Sequence, residues 1–197
     1  MGFLSVLSFA QKLVGERLTS GGLAVDATVG TGADTLFLAS AAGPRGAVAG
    51  FDVQPEALDL ARERMRRAGE TQGAAYAPVS WLLQGHENML EALSAEWRGA
   101  VSAVMFNLGY LPGERTDKTV ITRTDTTLAA LDGALALLRP GGVITAVLYP
   151  GHEGGREEAE AVERWAASLP PAAGQSVVYR QLQRAAAPYL VAVEKRG

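Results

Sequence analysis

The stretch Asp26–Thr35 reads DATVGTGADT and joins a run of strand-forming residues to a segment with helical spacing. In an open α/β sheet, the turn between the first strand and the first helix is a place where ligands bind. Gly30 and Gly32 allow the backbone to turn tightly there and to approach a ligand without Cβ clashes. Asp26, just before the glycines, can hold a positively charged amino-acid group. The stretch therefore predicts the ligand-binding turn of an α/β domain.

The same turn bears on the class of ligand. A dinucleotide fingerprint needs a third glycine or alanine to seat a pyrophosphate on the helix N-terminus, and this chain has Thr35 there. Asp26 and Asp34 would also repel a pyrophosphate. An NAD-dependent oxidoreductase is therefore the less favoured alternative, and a purely structural turn is another. The candidate cofactor contacts in this stretch are Asp26, Thr28, Gly30, Gly32, Asp34 and Thr35.

The ends of the next two predicted strands supply further candidate contacts. The motif FDVQ places Asp52 about 20 residues after the glycines, the spacing of an acid that accepts hydrogen bonds from ribose hydroxyls. Its neighbour Gln54 belongs to the same candidate set, while a solvated strand end or a helix cap is the alternative for Asp52. The third strand ends at QGHE, where an adenine would lie. His86 is either an adenine contact or a structural histidine.

Strand-like runs alternate with helical segments along the whole chain, which predicts βαβ units and a mainly parallel sheet. Seven strands are expected, at Leu23–Thr28, Ala47–Val53, Ser80–Gln84, Val101–Leu108, Val143–Tyr149, Ser176–Leu182 and Tyr189–Glu194. Helices are expected at Ala33–Ala42, Pro55–Ala68, Asn88–Glu96, Asp125–Leu138 and Glu153–Ser168. Only Gln183–Pro188 separates the last two strands, so they should form an antiparallel hairpin. That order predicts a Rossmann-like class I methyltransferase fold, with helices on both faces of a seven-stranded sheet, whereas a dehydrogenase would continue with another crossover.

Length and composition limit the classes of protein. A chain of 197 residues predicts one domain over residues 1–197, and no apolar run reaches the roughly 18 residues of a membrane helix. Met1–Ala10 is apolar without a basic start, so it is expected to pack on the domain as a helix. The absence of cysteine excludes thiolate metal sites and favours a reducing cytoplasm. The net charge of -3 argues against nonspecific attraction to nucleic acid but allows a local basic patch.

The end of the fourth strand carries the most informative motif, NLGYLPG at Asn107–Gly113. It resembles the Asn-Pro-Pro-Tyr element of methyltransferases that act on planar or amino nitrogens. The Asn107 carbonyl could hold the N–H of an attacking amine, and Tyr110 could stack on a base, although a tight loop with a packed Tyr110 is the alternative. Loops beside this motif on the same sheet edge supply candidate substrate contacts, which are Leu111, Pro112, Arg115, Lys118, Tyr149 and His152.

Several blocks in order show a resemblance that runs nearly end to end. They are DATVGTGADTLFLA, FDVQPEAL, GHEN, FNLGYLPG, TDTTLAAL, RPGG, YPGHEGG and PYLVAVEK. They are similar to a bacterial family once labelled "putative rRNA methylases", whose characterised members methylate the wobble uridine of tRNA. The chain departs from that pattern at ERTDK, where a shorter Gly-Asp-Lys is common, and at Pro150, where histidine is frequent.

The resemblance implies S-adenosylmethionine as cofactor and the tRNA anticodon region as partner, with no membrane association and with a homodimer left open. The implied reaction converts 5-aminomethyl-2-thiouridine to its methylaminomethyl form, with Asn107 orienting a neutral amine. The residues identify no base, since water, Asp117 and His152 are all candidates. A methyltransferase for ribosomal RNA or a small molecule would share every cofactor residue, and a noncatalytic adenosylmethionine-binding protein is a further alternative.

Overall fold

The computed structural model describes residues 2–72, 75–109, 122–151, 154–184 and 186–197. Its helices are α1 (Val6–Gly15), α2 (Ala33–Ala42), α3 (Pro55–Gln72), α4 (Met89–Ala92), α5 (Thr124–Leu137) and α6 (Gly155–Ser168). Its strands are β1 (Leu23–Asp26), β2 (Ala47–Asp52), β3 (Val79–Leu83), β4 (Val101–Leu108), β5 (Leu138–Leu148), β6 (Gly174–Tyr179) and β7 (Tyr189–Lys195). Two 3-10 turns, His86–Asn88 and Ala95–Trp97, flank α4.

The seven strands form one sheet in the order β3-β2-β1-β4-β5-β7-β6. Strands β1 to β5 are parallel, while β7 is antiparallel to both β5 and β6, so the predicted terminal hairpin is confirmed. The strand order reverses between β1 and β4, and in open α/β sheets a ligand crevice forms outside the carboxyl ends of the strands at such a point. The fold is the predicted Rossmann-like class I methyltransferase fold, and its crevice lies where DATVGTGADT begins.

Alternating strand residues supply two cores, one on each face of the sheet. On one face, Val48 and Met105 pack with Leu38 of α2 and with apolar residues of α1. On the other, Phe106 packs with Leu131 of α5 and with apolar residues of α4 and α6. Helices on both faces therefore hold the strand ends that form the crevice. In the part of the chain that the structure describes, no helix is both long and apolar enough to cross a membrane.

Most element bounds lie within two residues of the sequence expectations, and the larger exceptions follow from core packing, ion pairs and strand pairing. The helix expected over Asn88–Glu96 is broken, because Leu93 and Ser94 have extended backbone and Leu93 lies in the core. Helix α3 runs through Gly69, where ion pairs of Arg66 with acids on both sides support the last turns. Strand β5 begins at Leu138, five residues before the expected Val143, since Leu138 pairs with Val101.

Two further bounds at the chain ends differ from expectation. The N-terminal helix begins at Val6 rather than at the first residues, because the Ser5 hydroxyl accepts a hydrogen bond from the Ser8 N–H and caps it. Strand β6 ends at Tyr179 instead of Leu182, and the exposed Leu182 side chain lies outside the ladder.

Candidate active site

A cleft of about 690 Å³ opens at the carboxyl ends of the central strands. Its volume is within the range of sites for small molecules, roughly 300–1,000 Å³. Each neighbouring element contributes to its wall, through Gln11 of α1, Gly30 after β1, Asp52 of β2, His86 after β3, Asn107 of β4 and Tyr149 after β5. The cleft therefore joins the predicted cofactor motifs to the predicted catalytic asparagine.

The glycine turn contains two glycines whose backbone conformation is in the left-handed region. Gly30 has a φ of 51° and lines the cleft, whereas Gly32 has a φ of 75° and lies behind it. A Cβ on Gly32 would lie 2.5 Å from the Cβ of Ala61 in α3. Real Cβ atoms do not approach that closely, so glycine at position 32 lets the turn seat against α3 while Gly30 faces the ligand.

Asp26 supports the turn from below and does not line the cleft. Its carboxylate accepts hydrogen bonds from the Thr35 hydroxyl at 2.5 Å and from the Thr28 N–H at 3.2 Å. Burial, assisted by the nearby Asp34 charge, raises the pKa of Asp26 to about 7. Both side chains are buried and contact each other, so the structure places Asp26 and Thr35 behind the cleft wall, and their direct contact with a ligand stays a prediction.

Asp52 faces the cleft and is held by the backbone on both sides. Its carboxylate accepts hydrogen bonds from the Gly30 N–H and the Gln54 N–H, each at 2.9 Å. Burial raises the pKa of Asp52, and the backbone donors oppose that rise. Since each carboxylate oxygen has a second lone pair, Asp52 can still accept from ligand hydroxyls.

His86 is buried at the cleft wall in a defined orientation. Its Nδ1 donates a hydrogen bond to the Ala27 carbonyl at 3.1 Å, and its ring meets Phe106 edge-on. Burial lowers the pKa of His86, which favours the neutral imidazole. Because a carbonyl can only accept, Nδ1 carries the proton and Nε2 is an acceptor.

Asn107 belongs to a polar network that reaches from β4 to α1. Its backbone N–H donates to the Thr28 hydroxyl at 2.7 Å, and its side-chain Nδ2 donates to Oδ2 of Asp34. Oδ1 of Asp34 accepts a second bond at 3.0 Å from Gln11 Nε2, and the Tyr149 hydroxyl lies 3.4 Å from Asn107 Oδ1. Burial, with a further contribution from Asp34, raises the pKa of Tyr149.

Sequence reasoning missed the part that α1 plays. Leu7 and Gln11 both line the cleft, and Gln11 binds the same carboxylate as Asn107. No motif marks either residue, because an amphipathic N-terminal helix looks the same whether it covers the core or a site. The sequence does contain one indirect signal. Asp34 at the start of α2 is a hydrogen-bond acceptor, and its carboxylate requires polar partners nearby.

Six predicted site residues lie outside the described residues, namely Tyr110, Leu111, Pro112, Arg115, Lys118 and His152. The same is true of the candidate base Asp117. Where the chain is described again, the Thr122 N–H donates to the Gly109 carbonyl at 3.0 Å. The Thr122 hydroxyl also donates to buried Glu158 at 2.7 Å. Gly109 and Thr122, the described residues on either side of residues 110–121, are thus in contact close to Asn107.

Among the described residues, no group of three or more His, Asp or Glu side chains converges as a metal site.

Comparison with known proteins identifies the family. The family model described as "Putative rRNA methylase" matches residues 48–194. The chain is 37% identical over 184 residues to the chloroplastic tRNA (mnm(5)s(2)U34)-methyltransferase of Arabidopsis thaliana, covering 91% of this chain and 65% of that relative's length.

Solved structures of two other proteins resemble this chain over nearly its whole length. A "putative rRNA-methylase" from Clostridium thermocellum superposes with a TM-score of 0.88 at 34% identity, covering 99% of this chain and 100% of that one. A "putative methyltransferase" from Streptococcus mutans, in complex with SAH, gives a TM-score of 0.82 at 29% identity over 98% and 99% of the two chains. With this fold, this cleft and these matches, the chain belongs to the family described as "Putative rRNA methylase".

Proposed function

We propose that the chain is an S-adenosylmethionine-dependent N-methyltransferase that converts 5-aminomethyl-2-thiouridine at the tRNA wobble position to its methylaminomethyl form. The observation that carries this proposal is the meeting of the glycine turn, Asp52 and an oriented Asn107 in one cleft. Two relatives support it. One is named for methylation of this wobble uridine derivative, and another is a structure with SAH.

The residues of the cleft fit S-adenosylmethionine. Asp52 would accept from the ribose hydroxyls, with Gly30 at the backbone approach and His86 Nε2 available to an adenine amino group. The further cofactor contacts that we propose on the cleft wall are Thr28, Asp34 and Gln54. Asp26, Gly32 and Thr35 shape this site from behind.

The cofactor supplies a methyl group activated by a sulfonium. Asn107 Oδ1 would accept an N–H of the substrate amine and point the nitrogen lone pair toward that methyl group. The N–C bond forms as the C–S bond breaks, and a proton leaves the amine nitrogen for solvent. Catalysis by this chain consists largely of positioning and of excluding water from the amine.

In this proposal, the segment that follows Asn107 recognises the substrate. Tyr110 would stack on the target base, with Leu111, Pro112 and Tyr149 beside it, while Arg115, Lys118 and His152 would meet the anticodon backbone. Arg123, at the described end of the same segment, lines the cleft and pairs with Asp125. A homodimer remains a prediction.

Nucleoside analysis of cellular tRNA tests this function. Cells that lack the gene for this chain should accumulate 5-aminomethyl-2-thiouridine and lose the methylated form. The wild-type gene should restore it, and an Asn107→Ala copy expressed at the same level should not. Unchanged tRNA nucleosides in the deletion strain would refute the proposed substrate.

A further inference from the structure

We infer that Asp34 is a positioning residue for Asn107, because its carboxylate fixes which end of the Asn107 amide faces the substrate amine. The inference deepens the proposed N-methyltransferase function and rests on it. It assigns Asp34 a role beyond the direct cofactor contact proposed above, and Gln11 of α1 supports that role through its hydrogen bond to the same carboxylate.

The contacts of Asp34 are made on both of its oxygens. Oδ2 accepts from Asn107 Nδ2, and Oδ1 accepts from Gln11 Nε2 at 3.0 Å. Asp34 lies in the first turn of α2 and is only 8% exposed, so water competes little for these bonds. Three elements, α1, α2 and β4, therefore meet at one carboxylate.

An ionised carboxylate accepts hydrogen bonds and cannot donate them. If the Asn107 amide were turned by half a turn, its Oδ1 would face Oδ2 of Asp34, and two acceptors would repel each other at a site with little water. Asp34 therefore selects the orientation in which Nδ2 points to the carboxylate. The opposite end, Oδ1, must then point away from Asp34.

The selected orientation leaves Oδ1 ready to bind an amine. The Tyr149 hydroxyl lies 3.4 Å from Oδ1, which is a long bond, and a carbonyl oxygen has two lone pairs. One acceptor position thus remains for a substrate N–H. The backbone of Asn107 is held independently by the Thr28 hydroxyl at 2.7 Å, so Asp34 acts on the side chain and not on the position of the backbone.

Nitrogen NMR can observe this orientation without any substrate. The chain has two asparagines, Asn88 and Asn107, so selective 15N-asparagine labelling yields two side-chain amide pairs. An Nδ2 proton bonded to a carboxylate should lie downfield, and in Asp34→Ala the Asn107 pair should move upfield while the Asn88 pair stays in place. An Asn107 pair that does not move in a folded Asp34→Ala protein would overturn the inference.

Two double variants test the catalytic consequence with an asparagine at position 34 in both. In Asp34→Asn with Gln11→Glu, the carboxylate at residue 11 accepts a hydrogen bond from the NH₂ group of the amide at position 34. The oxygen of that amide then accepts from Asn107 Nδ2. In Asp34→Asn with Gln11→Lys, the donor at residue 11 draws that oxygen, so the NH₂ faces Asn107 and favours the turned amide. At saturating cofactor, single-turnover methylation should be about tenfold or more faster in the double variant with Gln11→Glu than in the double variant with Gln11→Lys.

The outcomes separate this inference from the proposed function. Equal rates in the two folded double variants, or a loss of cofactor affinity alone, would reduce Asp34 to a cofactor contact and overturn the positioning role. Asp59→Asn, which removes an exposed carboxylate paired with Arg62, is the matched control and should keep the wild-type rate. If wild-type protein does not methylate the aminomethyl tRNA, the proposed function fails, whereas the amide spectrum still decides the orientation.

Discussion

At the scale of single residues, Asp52 supports the glycine turn by accepting from the Gly30 N–H, and in the proposed function it also binds the ribose of the cofactor. Removing the side chain in Asp52→Ala should weaken S-adenosylmethionine binding by about 1.5 to 3 kcal/mol, the range of hydrogen bonds to a charged group. The loss should be the same for SAH, because both ligands contain the ribose. Isothermal calorimetry measures both affinities, and the exposed Glu56→Ala on α3 serves as a control. Unchanged affinity in the Asp52 variant would make Asp52 only a strand-end residue.

Asn107 should show the opposite kinetic pattern. In the proposed mechanism Asn107 orients the amine as the transition state approaches, so Asn107→Ala should lower kcat by a hundredfold or more, about 2.7 to 4 kcal/mol, with cofactor affinity nearly intact. Single-turnover methylation at saturating cofactor tests this, and Asn88→Ala, at a residue that does not line the cleft, should react normally. A near wild-type rate for the Asn107 variant would contradict the positioning role.

Sequence reasoning located the polar residues of the site but could not assign their directions. Gly30, Asp52 and Asn107 line the cleft as predicted, since strand ends of a parallel sheet meet at one edge. Asp26 turns inward and Asp34 engages two protein donors. The direction of Asp26 depends on its exact position before the turn, since the next residue along a strand points to the opposite face. The direction of Asp34 depends on α1, a helix that is distant in sequence. A local motif contains neither kind of information.

At the scale of elements, the glycine turn packs tightly against α3. Gly32→Ala combines a positive φ with a Cβ 2.5 Å from that of Ala61, so it should destabilise the fold by about 1 to 3 kcal/mol and weaken cofactor binding. Denaturant unfolding and calorimetry measure the two effects.

A second glycine provides the matched comparison. A Cβ on Gly69, within α3, meets nothing within 4 Å. Gly69→Ala should therefore stabilise the protein by about 0.5 to 1 kcal/mol through helix propensity, without change in cofactor affinity. Equal effects of the two substitutions would contradict the packing account of the turn.

Helix and strand patterns predicted the element order well, while tertiary packing decided the exceptions. Burial of Leu93 interrupts the segment expected as one helix, and pairing with Val101 extends β5 back to Leu138 through a Pro-Gly-Gly sequence. Both features depend on contacts between residues that are distant in sequence, which propensity does not contain.

At the scale of the whole molecule, the buried Asp26 should make stability depend on pH. Its pKa is raised from 3.8 to about 7, so between these values the folded chain keeps a proton that the unfolded chain has lost. The stabilising contribution is complete below about pH 3.8 and is lost as the pH rises through about 7.

The variant Asp26→Asn provides the reference for this effect. Relative to it, the free energy of unfolding of the wild type should fall between about pH 4 and about pH 7, by an amount on the order of a few kcal/mol at most. Chemical denaturation at each pH measures the difference. A difference that is constant with pH would mean that Asp26 has an ordinary pKa in the folded protein.

Methyl transfer by the purified protein is the most direct test of the proposed function. The protein is incubated with S-adenosylmethionine and tRNA that carries 5-aminomethyl-2-thiouridine at the wobble position, and the nucleosides are resolved by mass spectrometry. The proposed function predicts conversion of that nucleoside to its methylaminomethyl form, one methyl group per wobble position, and no conversion by Asn107→Ala. No methylation of this nucleoside by folded wild-type protein that binds the cofactor would contradict it.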